Sequence, residues 1–184
     1  SLTKFLHRHR PQCELHVVEI NPEVVAIATS RFRLPEPDHR FEIFTADAAR
    51  WLPASSRRYD LIMVDGFDHS ARAGPLERLP FYQACRAHLS NQGLCVCNLF
   101  GRSRGYAGAV ERLGEAFGGR VLAFPSCDSG NAVAFAASGD RIVTTIDELR
   151  THALLLMQAT RLNLQSALTR LEAARTCPGG KLRL

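Results

Sequence analysis

Hydrophobic positions along this chain switch repeatedly between a helical and a strand period. Leu2, Phe5 and Leu6 fall on one helical face, with Ser1 as a cap and Pro11 beyond the end. ELHVVEINP then reads as a buried strand closed by Asn21-Pro22. PEVVAIATSRF follows as a helix with proline in its first turn and Glu23 beside it. PEPDHR breaks the pattern, RFEIFTADA restores a strand, and a short helix is predicted around Ala48 to Leu52. RYDLIMVDGF is a continuous apolar strand whose polar residues fall at its carboxyl end, and HSARAGPLERLP is a loop. PFYQACRAHLSNQG reads as a helix stopped by Asn91 and Gly93, LCVCNLF as a strand and AGAVERLGEAFGG as a helix. RVLAFP and NAVAFAA supply two late strands, expected together at one sheet edge.

This alternation predicts an α/β fold with right-handed crossovers and a mainly parallel, doubly wound sheet covered on both faces. From Thr145 onward the strands stop, and Leu149, Leu154, Leu156, Met157, Leu162, Leu168 and Leu171 mark one or two amphipathic helices. Their default use is local packing, with a homodimer surface as the alternative. The expected organisation is a core over 1–144, a helical extension over 145–176 and a flexible tail over 177–184.

A length of 184 residues suits one such domain, and 46% hydrophobic with 22% charged residues excludes collagen-like, disulfide-scaffold and wholly disordered classes. The net charge of +5 invites a nucleic-acid reading, but the excess sits at the ends. Lys4, Arg8 and Arg10 lie at one end, and Arg161, Arg170, Arg175, Lys181 and Arg183 against Glu172 at the other. The middle is slightly acidic, so no nucleic-acid partner is predicted. Cys13, Cys85, Cys95, Cys97, Cys127 and Cys177 form no paired CxxC pattern and read as reduced, with Cys95 and Cys97 buried on one strand face. No apolar run reaches membrane-spanning length and no signal-peptide pattern opens the chain, so a cytoplasmic protein without a membrane partner is expected. His7, His9 and His16 straddle a helix, Pro11 and a strand without HExxH spacing, and no metal site is assigned.

In an open α/β sheet, ligands bind beyond the carboxyl ends of the parallel strands. Acidic residues recur at that level: Glu19 after the first strand, Asp47 after the second, and Asp65 with Asp68 after the third. Such carboxylates can accept hydrogen bonds from ribose hydroxyls or an adenine amino group, or draw in an amine. Taken singly, Glu19 and Asp47 serve equally well as local helix caps.

The runs VVEINPEVVAIATSRF, TADAARWL, YDLIMVDGFD and PFYQACRAHLSNQGLCVCNLF, over about residues 1 to 137, resemble the core of the spermidine synthase family. That family is a branch of the class I S-adenosylmethionine-dependent methyltransferase fold. The resemblance implies that Glu19 holds ribose hydroxyls of a methionine-derived nucleoside and that Asp47 with Ala48 addresses adenine. It also implies that Asp65 accepts a proton from the attacking amine and that Asp68 orients the same cationic substrate. Decarboxylated S-adenosylmethionine would be the cosubstrate and a small amine or polyamine the acceptor. A typical domain of the superfamily opens with a strand and a Gly-rich loop before the helix that here starts at Ser1. The resemblance therefore implies a sheet without its first strand and without that part of the nucleoside cradle, and without the amino-terminal β domain of the spermidine synthases.

The departures from the family are local. The chain reads Asp65-Gly66-Phe67-Asp68-His69, where the family has small polar residues between the acids and proline after the second; Asn98 stands near a position where the family has glutamine for the polyamine. Asn98, His69 and Tyr82 are further candidates for substrate contact, Tyr82 with packing beneath the active-site loop as its alternative. The readings that follow are an aminopropyl transferase, a small-molecule methyltransferase using S-adenosylmethionine, and a noncatalytic nucleoside-binding or scaffold protein.

Overall fold

The structure, a computed structural model, describes residues 2–68, 70, 72–100, 105–124, 130–173 and 178–184. The chain divides into two compact units, Ser1–Ser55 and Ser56–Leu184.

The first unit holds α1 (Leu2–His9), β1 (Leu15–Glu19), α2 (Pro22–Phe32), β2 (Phe41–Thr45) and α3 (Ala48–Ala54). β1 and β2 pair in parallel from Leu15↔Phe41 to Glu19↔Thr45, so their carboxyl ends lie side by side. Asn21 starts α2 by accepting the Glu23 N–H, and Pro22 occupies the first turn, where its missing donor costs nothing. Phe41 and Leu52 are buried, and the Phe44 and Trp51 rings meet in a tilted contact with centroids 4.8 Å apart. α1 is tied down by His7 Nε2, 3.2 Å from the Asp38 carboxylate, and by the Lys4 ammonium, which donates to the Phe32 carbonyl.

The second unit holds β3 (Tyr59–Val64), a short 3-10 turn over Gly74–Glu77, α4 (Leu79–Ala87), β4 (Leu89–Phe100), α5 (Tyr106–Ala116), β5 (Val121–Ala123) and β6 (Asn131–Ala137). β7 (Val143–Thr145), α6 (Ile146–Thr160), α7 (Gln165–Ala173) and β8 (Lys181–Arg183) complete it. The four-stranded sheet runs β3-β4-β6-β5, with β3 and β4 parallel and β6 antiparallel to both its neighbours. The sheet is thus mixed, and the two late strands do sit together at its edge.

Along β4, Gly93, Cys95, Cys97 and Leu99 are buried while Leu94, Val96, Asn98 and Phe100 are half-buried. The buried row meets Phe81, Cys85, Ala109, Leu113 and Phe117 of the α4 and α5 region in a core where each large apolar side chain contributes about 1.5–3 kcal/mol. The hydrogen bond from Cys85 raises the Cys95 thiol well above its ordinary value, and the bond from Cys95, with burial, does the same for Cys97; both are inert neutral thiols. On the other face, Leu61, Met63 and Val133 remain exposed by about a third or more.

Two further expectations are corrected. The helix over PFYQACRAHLSNQG ends at Ala87, and β4 already begins at Leu89. The punctuating Asn91 and Gly93 are absorbed because the segment after β6 runs alongside: Ser138 Oγ donates to the Ser90 and Gly93 carbonyls and the Gln92 amide donates to Asp140. The end of the chain is not a flexible tail over its described residues. β8 pairs with β7, Ile142 and Leu184 exchange backbone hydrogen bonds, and Leu182 and Leu184 are buried. The extension itself is helical as expected, with Thr145 and Glu148 forming a reciprocal capping box at the start of α6. Among the described residues no helix is long and apolar enough to cross a membrane.

Candidate functional site

The candidate residues fall into two groups, one in each compact unit. In the first, Glu19 ends β1 and Asp47 follows β2, brought to one level by the parallel register and by the Ala46 N–H bonded to the Glu19 carbonyl at 3.0 Å. Glu19 Oε1 accepts the Asn21 N–H at 2.8 Å, which fixes the carboxylate at the strand-to-helix turn and leaves Oε2 to accept from a ligand. Asp47 Oδ1 caps α3 by accepting the Ala49 N–H at 2.9 Å, and Oδ2 lies 3.8 Å from Arg50 Nε. Ala48 is the first residue of that helix. Cap and ligand roles are compatible for Glu19, whereas Asp47 is already occupied on both sides.

In the second unit, Asp65 follows the last residue of β3 and is exposed to solvent. The register Val64↔Cys97 carries Asp65 to the level of Asn98, and the Asn98 amide donates to Asp65 Oδ1 at 2.7 Å. This is a charge-assisted bond that holds one carboxylate oxygen and leaves Oδ2 without a partner among the described residues. The turn after it is tight: a Cβ on Gly66 would come within 2.7 Å of Leu76 Cδ1, so glycine lets the 3-10 turn fold back over it. That turn is anchored from α5, whose Arg112 donates to the Glu77 carbonyl at 2.7 Å.

Asp68 organises the loop from within. Its Oδ1 accepts the Ser70 and Arg72 N–H groups at 2.8 and 3.0 Å, and its Oδ2 accepts from Arg72 Nε at 3.2 Å. The backbone bond from Arg72 is the leading cause holding this carboxyl below its ordinary value. An Asp-to-Arg spacing of four residues across a loop is the only sequence signal for this pair, and it is too common to mark Arg72 by itself. Tyr82 is fully buried and packs in the core, with its hydroxyl lacking a hydrogen-bond partner among the described residues, and burial pushes its ionisation far upward. His69 lies outside the described residues.

Among the described residues, one cluster of metal-ligating types converges: Glu14, His16 and Glu42, at the amino ends of β1 and β2. There His16 Nε2 pairs with Glu14 at 3.2 Å and its ring meets Phe44 edge-on, at the end of the strands away from Glu19 and Asp47.

No family model matches the chain. The chain is 34% identical over 174 residues to the polyamine aminopropyltransferase of Neisseria meningitidis serogroup A, covering 95% of this chain and 66% of that protein. It therefore spans a little under two-thirds of the length of that curated relative. Its fold matches the crystal structure of human methyltransferase-like protein 13 in complex with SAH, with a TM-score of 0.74 and 24% identity over 88% of this chain and 77% of that one. It also matches a probable spermidine synthase from Corynebacterium glutamicum, with a TM-score of 0.59 and 23% identity over 69% of this chain and 48% of that one. Parallel strand pairs ending in acids in each unit, together with this level of identity, lead to one conclusion: the chain is homologous to the bacterial polyamine aminopropyltransferases and shares the class I methyltransferase fold of spermidine synthase.

Proposed function

We propose that the protein transfers an aminopropyl group from decarboxylated S-adenosylmethionine to an amine, with Asp65 as the group that receives the amine's proton. The observation that carries this is the exposed Asp65 carboxylate at the end of β3, held through one oxygen by Asn98 with the other available. The acceptor's ammonium gives a proton to Asp65 Oδ2, and the neutral nitrogen then attacks the methylene next to the sulfonium. The carbon–nitrogen bond forms as the carbon–sulfur bond breaks, and its electron pair passes to sulfur, releasing methylthioadenosine. The new ammonium keeps its positive charge, and Asp65 returns the one proton it received to solvent. A fixed carboxylate favours this sequence by orienting the nitrogen and by opposing the positive charge that moves from sulfur to nitrogen.

Glu19 is assigned the ribose hydroxyls through Oε2, and Ala48 with Asp47 the adenine edge, Asp47 contributing less because its oxygens face Ala49 N–H and Arg50. Cys13, Cys85, Cys95 and Cys97 are all free thiols, which fits a reducing cytoplasmic setting for this reaction. A second reading, methyl transfer from S-adenosylmethionine to a small molecule, draws on the fold match to the methyltransferase-like structure.

Mass-spectrometric identification of the product after incubation with each sulfonium and a panel of amines separates the readings. Aminopropylated amine formed from the decarboxylated sulfonium is the expected result. Methylated product formed from S-adenosylmethionine would establish the second reading instead.

A further inference from the structure

The acidic loop after β3 carries two carboxylates, but they are not equivalent. Among the described residues Asp65 keeps one oxygen open, whereas both oxygens of Asp68 are used inside the loop, by two backbone N–H groups and by the guanidinium of Arg72. Arg72 Nη2 lies a further 3.2 Å from the same Oδ2, so Arg72 meets Asp68 with its backbone and with two side-chain nitrogens. The loop thus contains its own cation at its second acidic position.

We infer that Arg72 biases the choice of acceptor by occupying Asp68, so that this loop recognises an amine through a single ammonium at Asp65 and disfavours a diamine that brings a second cation to the same loop. The inference rests on the aminopropyl-transfer reading of Asp65 and adds the acceptor's charge to it. Chain geometry makes the competition real: Asp68 lies three positions after Asp65, which places their Cα atoms within roughly 10 Å. That distance is within reach of a short diamine lying along the loop. Such a diamine must displace an intramolecular partner already held in place by the Arg72 backbone, and it meets a like charge until it does. Both members of the pair are solvent-accessible, so the effect is a bias of moderate size.

The test compares n-butylamine with 1,4-diaminobutane in the 184-residue protein and in its Arg72→Ala, Arg72→Gln and Arg72→Lys variants. Binding is measured by calorimetry and transfer by kcat/KM. The expected result is that Arg72→Ala and Arg72→Gln raise the diamine-to-monoamine ratio about two- to fivefold, the span of an exposed ion pair, through KM for the diamine. Arg72→Lys keeps the cation and holds the wild-type ratio. A ratio unmoved in both neutral variants overturns this inference while leaving the transfer reading intact. A shifted binding ratio without any aminopropylated product overturns the transfer reading and retains the charge selectivity. Loss of binding of both amines in every protein overturns both.

Discussion

Asn98 is the residue whose role changes most once the geometry is known. From its position alone it is a candidate substrate contact, standing near a family glutamine; in the fold its amide donates to Asp65 at 2.7 Å, which under the proposed reaction makes it a positioning residue for that carboxylate. Asn98→Ala is expected to lower kcat roughly tenfold, about the cost of losing one hydrogen bond to a charged group. KM for the sulfonium should be unchanged, and Asn98→Gln, which keeps the carboxamide on a longer arm, should recover part of the rate. Equal kcat in all three proteins would remove the positioning role. Asp65 and Glu19 were legible in sequence because both directly end apolar runs of strand type. The fate of Asp68 was not legible, since hydrogen bonds within a loop leave no periodic trace, and Tyr82 could not be resolved until its complete burial was seen.

At the scale of elements, the helices with local signals are where the sequence places them. Asn21-Pro22 starts α2, and Asp47 caps α3. The early start of β4 depends instead on partners more than forty residues away, which no local window contains. Gly139 is the hinge of that arrangement: its φ is +90°, and a Cβ there would collide with the Asn91 carbonyl oxygen. Gly139→Ala is therefore expected to cost about 2 kcal/mol or more, from backbone strain plus overpacking. Urea unfolding followed by circular dichroism would show this as a lower midpoint with an unchanged slope. An unchanged midpoint would mean that the β4 extension does not depend on this close approach. β8 lacks a local signal for a similar reason. Its short run, KLR, gains a partner only when Leu184 reaches back to Ile142.

For the whole molecule, the proposed chemistry at a sulfonium draws its support from the homology to polyamine aminopropyltransferases and from the shared class I methyltransferase fold. The net positive charge carries little of this, since it lies at the chain ends while the candidate site residues are acidic. The chain matches 66% of that relative, so its activity has to be established on the protein itself. The most direct measurement is single-turnover transfer with Asp65→Asn beside the wild type, at saturating decarboxylated S-adenosylmethionine and amine, with sulfonium binding measured in parallel. The account predicts a fall in turnover of about a hundredfold or more, as for loss of a positioned proton acceptor, with the dissociation constant for the sulfonium preserved. Wild-type turnover in the Asp65→Asn protein would contradict it.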